Sequence, residues 1–300
     1  MIWIPIAIFS YFLFAIVAIT DKFLLKNFIP SPKIYAFYIG FFGIFVFLLI
    51  PFGFFVPDSS QIMISFIAGL SQILAIIMLY VGLKKFEASK VVPAIGGLTP
   101  IFTFGLTYIF SGARETLALS EIAAFVLLLM GSFFICWEKN DRITSQSLKI
   151  SSLAAFLFSL YFVLAKLVYI QQPFINGLIW MRLGAFGVSL ALLFSKEVRQ
   201  EIFQKRKTFK IKTLSLLSIN GAAGTVAGIL QNLSIALAGI AYVAIISALS
   251  GTQYVFLLLL SLILSLKFPK AFKEKLSKKV IRQKVFAIAL IVVGLALLAF

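Results

Sequence analysis

Arg182 is the residue whose position most demands a chemical reason. It lies about eight residues into an apolar stretch that opens near Phe174, roughly 12 Å deep at 1.5 Å per residue. A guanidinium at that depth is costly unless it faces a cavity, water or a partner, and its own stem is too short to carry it easily to the headgroups. Its planar fork suits a carboxylate or phosphate. Lys166, near the end of the preceding stretch, lies at a comparable distance from the same face and is shallow enough to snorkel. If both cations face a cavity, they favour an anionic group on a small ligand. Gln72, Thr99, Thr225, Thr252 and Gln253 are uncharged polar residues inside other apolar stretches. Each either touches a ligand or hydrogen-bonds a neighbouring helix. With Arg182 they make six candidate substrate-binding residues.

Other chemistries lack their residues. The chain has no histidine, which removes imidazole acid–base catalysis, Ser-His-Asp triads and His-based metal sites together. Its single cysteine, Cys136, cannot form an intrachain disulfide and reads as a small apolar residue at the end of a span. An intramembrane enzyme would need paired acids, a metal cluster or an activated nucleophile. None is legible, so neither an enzyme nor a cofactor is expected. Asp21 beside Lys22 reads as an interfacial ion pair, and no Asp or Glu falls at the centre of a span, which disfavours proton antiport through a central carboxylate.

The elements that must position these residues follow from composition. The chain of 300 residues is 62% hydrophobic and 12% charged, with mean hydropathy +1.09, far from the balance of a soluble domain. Ten stretches, about 3–25, 33–56, 61–83, 87–111, 119–138, 149–171, 174–195, 213–238, 240–266 and 284–300, read as transmembrane helices. The net charge of +17 lies almost wholly in alternate loops: Lys84, Lys85 and Lys90 in one, Lys205, Arg206 and Lys207 in another, with Arg114 alone in the loops of the opposite set. That pattern is topogenic charge, not a nucleic-acid surface. It places the odd-numbered loops in the cytoplasm and both termini outside, in a multi-pass protein of the plasma (inner) membrane. Ile2 to Ala18 lacks a basic leader and a cleavage site, so it reads as a retained first helix.

The two halves are weak copies of one another. Phe12-Leu13-Phe14 and Lys22 recur 144 positions on as Phe156-Leu157-Phe158 and Lys166, and Gly40 and Gly43 recur as Gly184 and Gly187. Farther along, Ala88 and Thr99 match Ala241 and Thr252, and Gly131 matches Gly294. An odd number of spans per half inverts the second copy in the membrane, the architecture of many secondary transporters. The expected fold is therefore an all-α membrane protein of ten transmembrane helices in two inverted five-helix repeats, 1–148 and 149–300. Pro93 and Pro100, with Gly96 and Gly97 between them, predict a break in the fourth span. Gly224 and Gly228 predict a helix-packing face in the eighth.

The run Tyr80-Val81-Gly82-Leu83, then Ala88-Ser89, Pro100, Glu115-Thr116-Leu117 and Gly131, resembles the EamA-type members of the drug/metabolite transporter superfamily. The second half departs from that pattern, with Gln253 in the place of Pro100 and Phe268-Pro269 in the place of Glu115. The charge-based orientation is also opposite to that described for many relatives. The resemblance implies a ten-helix transporter whose partners are a small-molecule substrate and the lipid bilayer. Its expected action is alternating access of a small polar or charged metabolite, such as an amino acid, around a site near the midplane. The alternative is a flippase for a lipid-linked sugar or other amphiphile.

Overall fold

Long apolar runs without two-residue alternation satisfy their backbone inside a membrane most simply as helices. The computed structural model describes residues 1–27, 31–86, 88–111, 117–136, 144–203, 211–267 and 278–299, and among these it contains helices and no strand. The helices are α1 (Trp3–Asn27), α2 (Pro32–Phe42), α3 (Ser59–Lys85), α4 (Ala88–Ser111), α5 (Leu119–Cys136), α6 (Ser145–Gln171), α7 (Phe174–Ala191), α8 (Lys196–Phe203), α9 (Ile211–Leu237), α10 (Val243–Ala248), α11 (Ser250–Lys267) and α12 (Lys278–Ala299). Seven helical segments among the described residues are long and apolar enough to cross a membrane, and α5 carries a shorter apolar run, Leu119–Ile135. The chain is a membrane-embedded helical protein.

Local sequence explains several boundaries. α2 tightens into a 3-10 segment, Gly43–Phe52, which stops at Gly53, where φ of 131° requires a residue without a Cβ. Lys84 and Lys85 sit in the last turn of α3, where cations complement the exposed carbonyls. Thr144 caps α6 by accepting from Ser147 N at 3.2 Å, and Glu121 folds back to accept from Ala118 N at 2.7 Å at the start of α5. The stretch from Lys196, read from sequence as the start of a basic loop, instead opens with α8, whose Val198 is buried beside Leu24, Tyr35 and Tyr80.

The expected break moves to another helix. α4 runs unbroken through Pro93 and Pro100. A proline removes one donor, and hydroxyls next to Pro100 attend to the neighbouring carbonyls. Thr99 Oγ1 donates to Ile95 O at 2.8 Å, and both Thr103 Oγ1 and Ser159 Oγ donate to Thr99 O at 2.8 Å. The ninth span is the interrupted one, as a 3-10 turn (Ile240–Tyr242), α10 and α11. Side chains serve its carbonyls too. Tyr11 OH donates to Ile246 O at 2.7 Å, Ser247 Oγ to Ala244 O at 2.7 Å and Thr252 Oγ1 to Leu249 O at 2.7 Å. Every residue of α10 is buried, and it forms part of the main apolar cluster with Tyr161, Phe162, Ile235 and Ile291.

Lipid gives apolar helices little reason to associate, so close backbone approach through small residues must hold them. α1 packs along α9, α3 along both α6 and α7, and α5 along α12. The tightest seam is α3 with α7. A Cβ on Gly69 would lie 2.0 Å from Met181 O, and one on Gly184 would lie 2.7 Å from the Phe66 backbone. The glycine pair expected to pack, Gly224 and Gly228, is looser: a Cβ on Gly224 would meet only Val17 methyls at 3.8 and 4.0 Å. The α5–α12 seam also approaches through glycine, a Cβ on Gly131 lying 2.9 Å from Ala287 O and one on Gly294 3.1 Å from Ala124 O, but less closely than at Gly69.

Candidate functional site

Arg182 projects from α7 between α3 and α9. Its Nη1 donates to Gln72 Oε1 of α3 at 3.4 Å, a long bond for an N–H donor. On the other side Nη2 lies against Gly228 of α9, where an added Cβ would come within 2.6 Å of it. Gly228 is thus less a packing residue than the space that admits the guanidinium. One turn farther along α9, Asn232 is buried and hydrogen-bonds both ways. It donates to Tyr161 OH at 2.7 Å and to Gly228 O at 2.8 Å, and accepts from Tyr169 OH at 2.9 Å. Both tyrosines belong to α6, and the Arg182 charge acts on both phenols.

Helical spacing makes the constellation possible. Gly228 and Asn232 are four apart on α9 and share a face. Tyr161 and Tyr169 lie eight apart on α6 and bracket that face. Asn232, with both ends of its amide engaged, holds the two tyrosines in register, so the phenols and Gly228 define one rigid wall. Arg182 and Gln72 supply the opposite, adaptable side. Among the described residues the guanidinium has this single long bond to a neutral amide and no ion pair with a carboxylate. Most of its donors therefore remain for another acceptor, and in a low-dielectric interior an anion is the acceptor that most stabilises it.

The other candidates divide. The structure brings Gln72 and Arg182 together. Thr99 and Thr252 are buried with their hydroxyls turned back onto Ile95 O and Leu249 O, and Thr225, half-buried, donates to Gly221 O at 2.8 Å. Each threonine thus bonds to its own helix. Gln253 is half-buried at the start of α11. Lys166 is buried and donates to Ala236 O of α9 at 3.1 Å, so that carbonyl holds its ammonium. Glu115, Thr116, Phe268 and Pro269 lie outside the described residues, as does the side chain of Lys22.

Sequence reasoning missed Tyr161, Tyr169 and Asn232. Asn232 carried a signal, being an amide in an apolar helix beside a second one, Gln231. Tyrosines in an aromatic-rich membrane chain carry almost none, because lipid-facing and interfacial surfaces use them equally.

No family model matches the chain, and no curated relative matches it. A solved structure described as "Crystal structure of protein" superimposes with a TM-score of 0.71 at 16% identity, covering 98% of this chain and 96% of that one. The two chains share a fold. At that identity, the likeness extends to architecture alone.

Proposed function

We propose that the protein is a transporter that moves a small polar or charged metabolite, such as an amino acid or related compound, by alternating access, with the Arg182 site as the place where an anionic group is held. The observation that carries this is an intramembrane guanidinium whose hydrogen-bond partner among the described residues is one neutral amide, 3.4 Å away, beside a glycine that leaves it room. The reading extends the seven apolar segments to ten spans by including α5, α9 and α12, in two inverted five-helix repeats. Three packing pairs support the repeat. α1 with α9 and α3 with α6 exchange under it, and α5 with α12 maps onto itself. The same reading takes the membrane to be the plasma (inner) membrane and, on the positive charge of alternate loops, has both termini outside it.

The chemistry required of the chain is modest. Arg182 orients a carboxylate or phosphate, the Tyr161–Asn232–Tyr169 wall offers hydroxyl and amide groups to the rest of the ligand, and Gln72 holds the guanidinium when no ligand does. The experiment is uptake into liposomes containing the purified protein, across a panel of anionic, zwitterionic and cationic metabolites. Transport confined to compounds with an anionic group, and lost in Arg182→Gln, is the expected result. Transport of cations alone, or full activity in a well-folded Arg182→Gln, would refute the assignment.

A further inference from the structure

A second polar cluster lies at the end of the bundle where α1, α3 and α7 finish, the end that bears the basic loops. Asp21, six residues before the end of α1, accepts hydrogen bonds from three other helices. Tyr35 OH of α2 and Asn220 Nδ2 of α9, the latter at 2.5 Å, donate to its Oδ1, and Tyr80 OH of α3 donates to its Oδ2 at 3.1 Å. Tyr35, Tyr80 and Asn220 are buried, and Leu24, Leu217 and Val198 close the cluster. No Lys or Arg among the described side chains pairs with Asp21. The ion pair expected with Lys22 lies outside the described residues.

The groups around this carboxyl can be named helix by helix. α2 contributes Tyr35, α3 contributes Tyr80, and α9 contributes Asn220, which does not titrate. α8 turns Val198 inward, while its Glu197 accepts from Ser31 Oγ at 2.6 Å and lies 3.8 Å from Lys33 Nζ. The side chains of Lys22 and Lys26 on α1 are outside the described residues. A carboxylate only accepts hydrogen bonds, whereas the acid carries a donor of its own. With three donors already aimed at it, adding a proton changes both the charge and the bonding pattern that ties four helices together. Separating those helices would put the same carboxyl in water. Any difference in proton affinity between the two environments couples proton binding to helix separation, reciprocally.

We propose that Asp21 is a proton-binding site at the junction of α1, α2, α3 and α9, and that its protonation is coupled to opening of the basic end. The inference adds a coupling site to the proposed transporter, and its test needs no substrate, so its failure leaves the Arg182 reading standing. Leu217, 3% exposed beside the cluster, is replaced by cysteine in full-length protein carrying Cys136→Ser, reconstituted in lipid. Its maleimide labelling rate is measured between about pH 5 and pH 8 against Ser59→Cys at the exposed start of α3, which corrects for thiol ionisation. With Asp21 present, the rate ratio should change by about fivefold or more across that range. Asp21→Asn should abolish the change, and Tyr80→Phe should keep it while displacing its midpoint by about one pH unit. A flat ratio with Asp21 present, an undiminished response in Asp21→Asn, or an unmoved midpoint in Tyr80→Phe would each overturn the proposal. Should Asp21→Asn fail to fold, the Tyr80→Phe midpoint decides alone.

Discussion

Gly69 and Gly184, on α3 and α7, and Gly224 and Gly228, on α9, look alike in sequence and do opposite work. Gly69 and Gly184 allow two backbones to touch, with Met181 O and the Phe66 backbone where side chains would stand. Gly228 faces only the tip of a flexible side chain, and Gly224 two distant methyl groups. In the proposed repeat α9 corresponds to α3, and α2 to α7, yet α3 packs extensively against α7 while α2 meets α9 sparsely. Ala222, the counterpart of Gly69 at the 153-residue offset, is exposed. The α3–α7 seam is a backbone contact, whereas at its counterpart Gly221 of α9 meets the Phe42 ring of α2, which a Cβ would approach within 2.8 Å. Small residues in a membrane helix thus mark either contact or space, and only the atom facing them tells which.

The comparison breaks most readily at the tight seam. Gly69→Ala should lower stability by about 3 kcal/mol, because the clash is with backbone that cannot rotate away. Gly184→Ala should behave similarly, and the thermal unfolding midpoint in detergent would register both. If either variant unfolds like the parent protein, α3 and α7 are not in direct backbone contact.

Gly228→Ala separates the two kinds of glycine. Its methyl displaces the Arg182 guanidinium, which can swing aside, so the unfolding midpoint should stay near the parent value. Uptake of the transported metabolite should nevertheless fall about tenfold or more, consistent with a displaced charge-assisted contact worth about 1.5–3 kcal/mol. Equal losses of stability and uptake would return Gly228 to an ordinary packing role.

Thr225→Val should have a smaller effect, because the hydroxyl is bonded to its own helix at Gly221 O. Uptake within about twofold of the parent is expected, and a loss as large as that of Gly228→Ala would bring Thr225 into the site. The smallest effect belongs to Glu197, exposed on α8. The Ser31 hydroxyl, with Lys33 and Lys84, holds its carboxyl below the usual carboxylate range. The folded value is lowered, so the small stabilisation is present at neutral pH and is lost as pH falls through that lowered value. Glu197→Gln should remove this acid-side slope while leaving uptake unchanged, as a pH series of unfolding midpoints would show.

The helices were legible because long apolar runs leave few alternatives to them, and most begin and end within a few residues of the expected spans. The helix break was not. Pro93 and Pro100 advertise one in α4, yet the helix runs through both, with the hydroxyls of Thr99, Thr103 and Ser159 donating to Ile95 O and Thr99 O beside Pro100. The real interruption near Leu249 has no proline, and the hydroxyls of Tyr11 and Ser132 that reach Ile246 O and Ala248 O come from distant parts of the chain. Arg182 stood out because charge inside a membrane always needs a reason. Asp21 stood out as a charge near a span end, but its partners Tyr35, Tyr80 and Asn220 come from three other helices, which no local pattern reveals.

The central claim is that Arg182 binds the anionic group of a transported metabolite. The most direct measurement is initial uptake by Arg182→Lys and Arg182→Gln, set against the parent protein and Gly228→Ala in the same liposomes, with folding checked by unfolding midpoint. Arg182→Lys keeps the charge but loses the fork, and should retain weakened transport with a raised KM. Arg182→Gln should bring transport close to background. Parent-level uptake by a stably folded Arg182→Gln would contradict the claim and leave Arg182 as a structural anchor between α3 and α9.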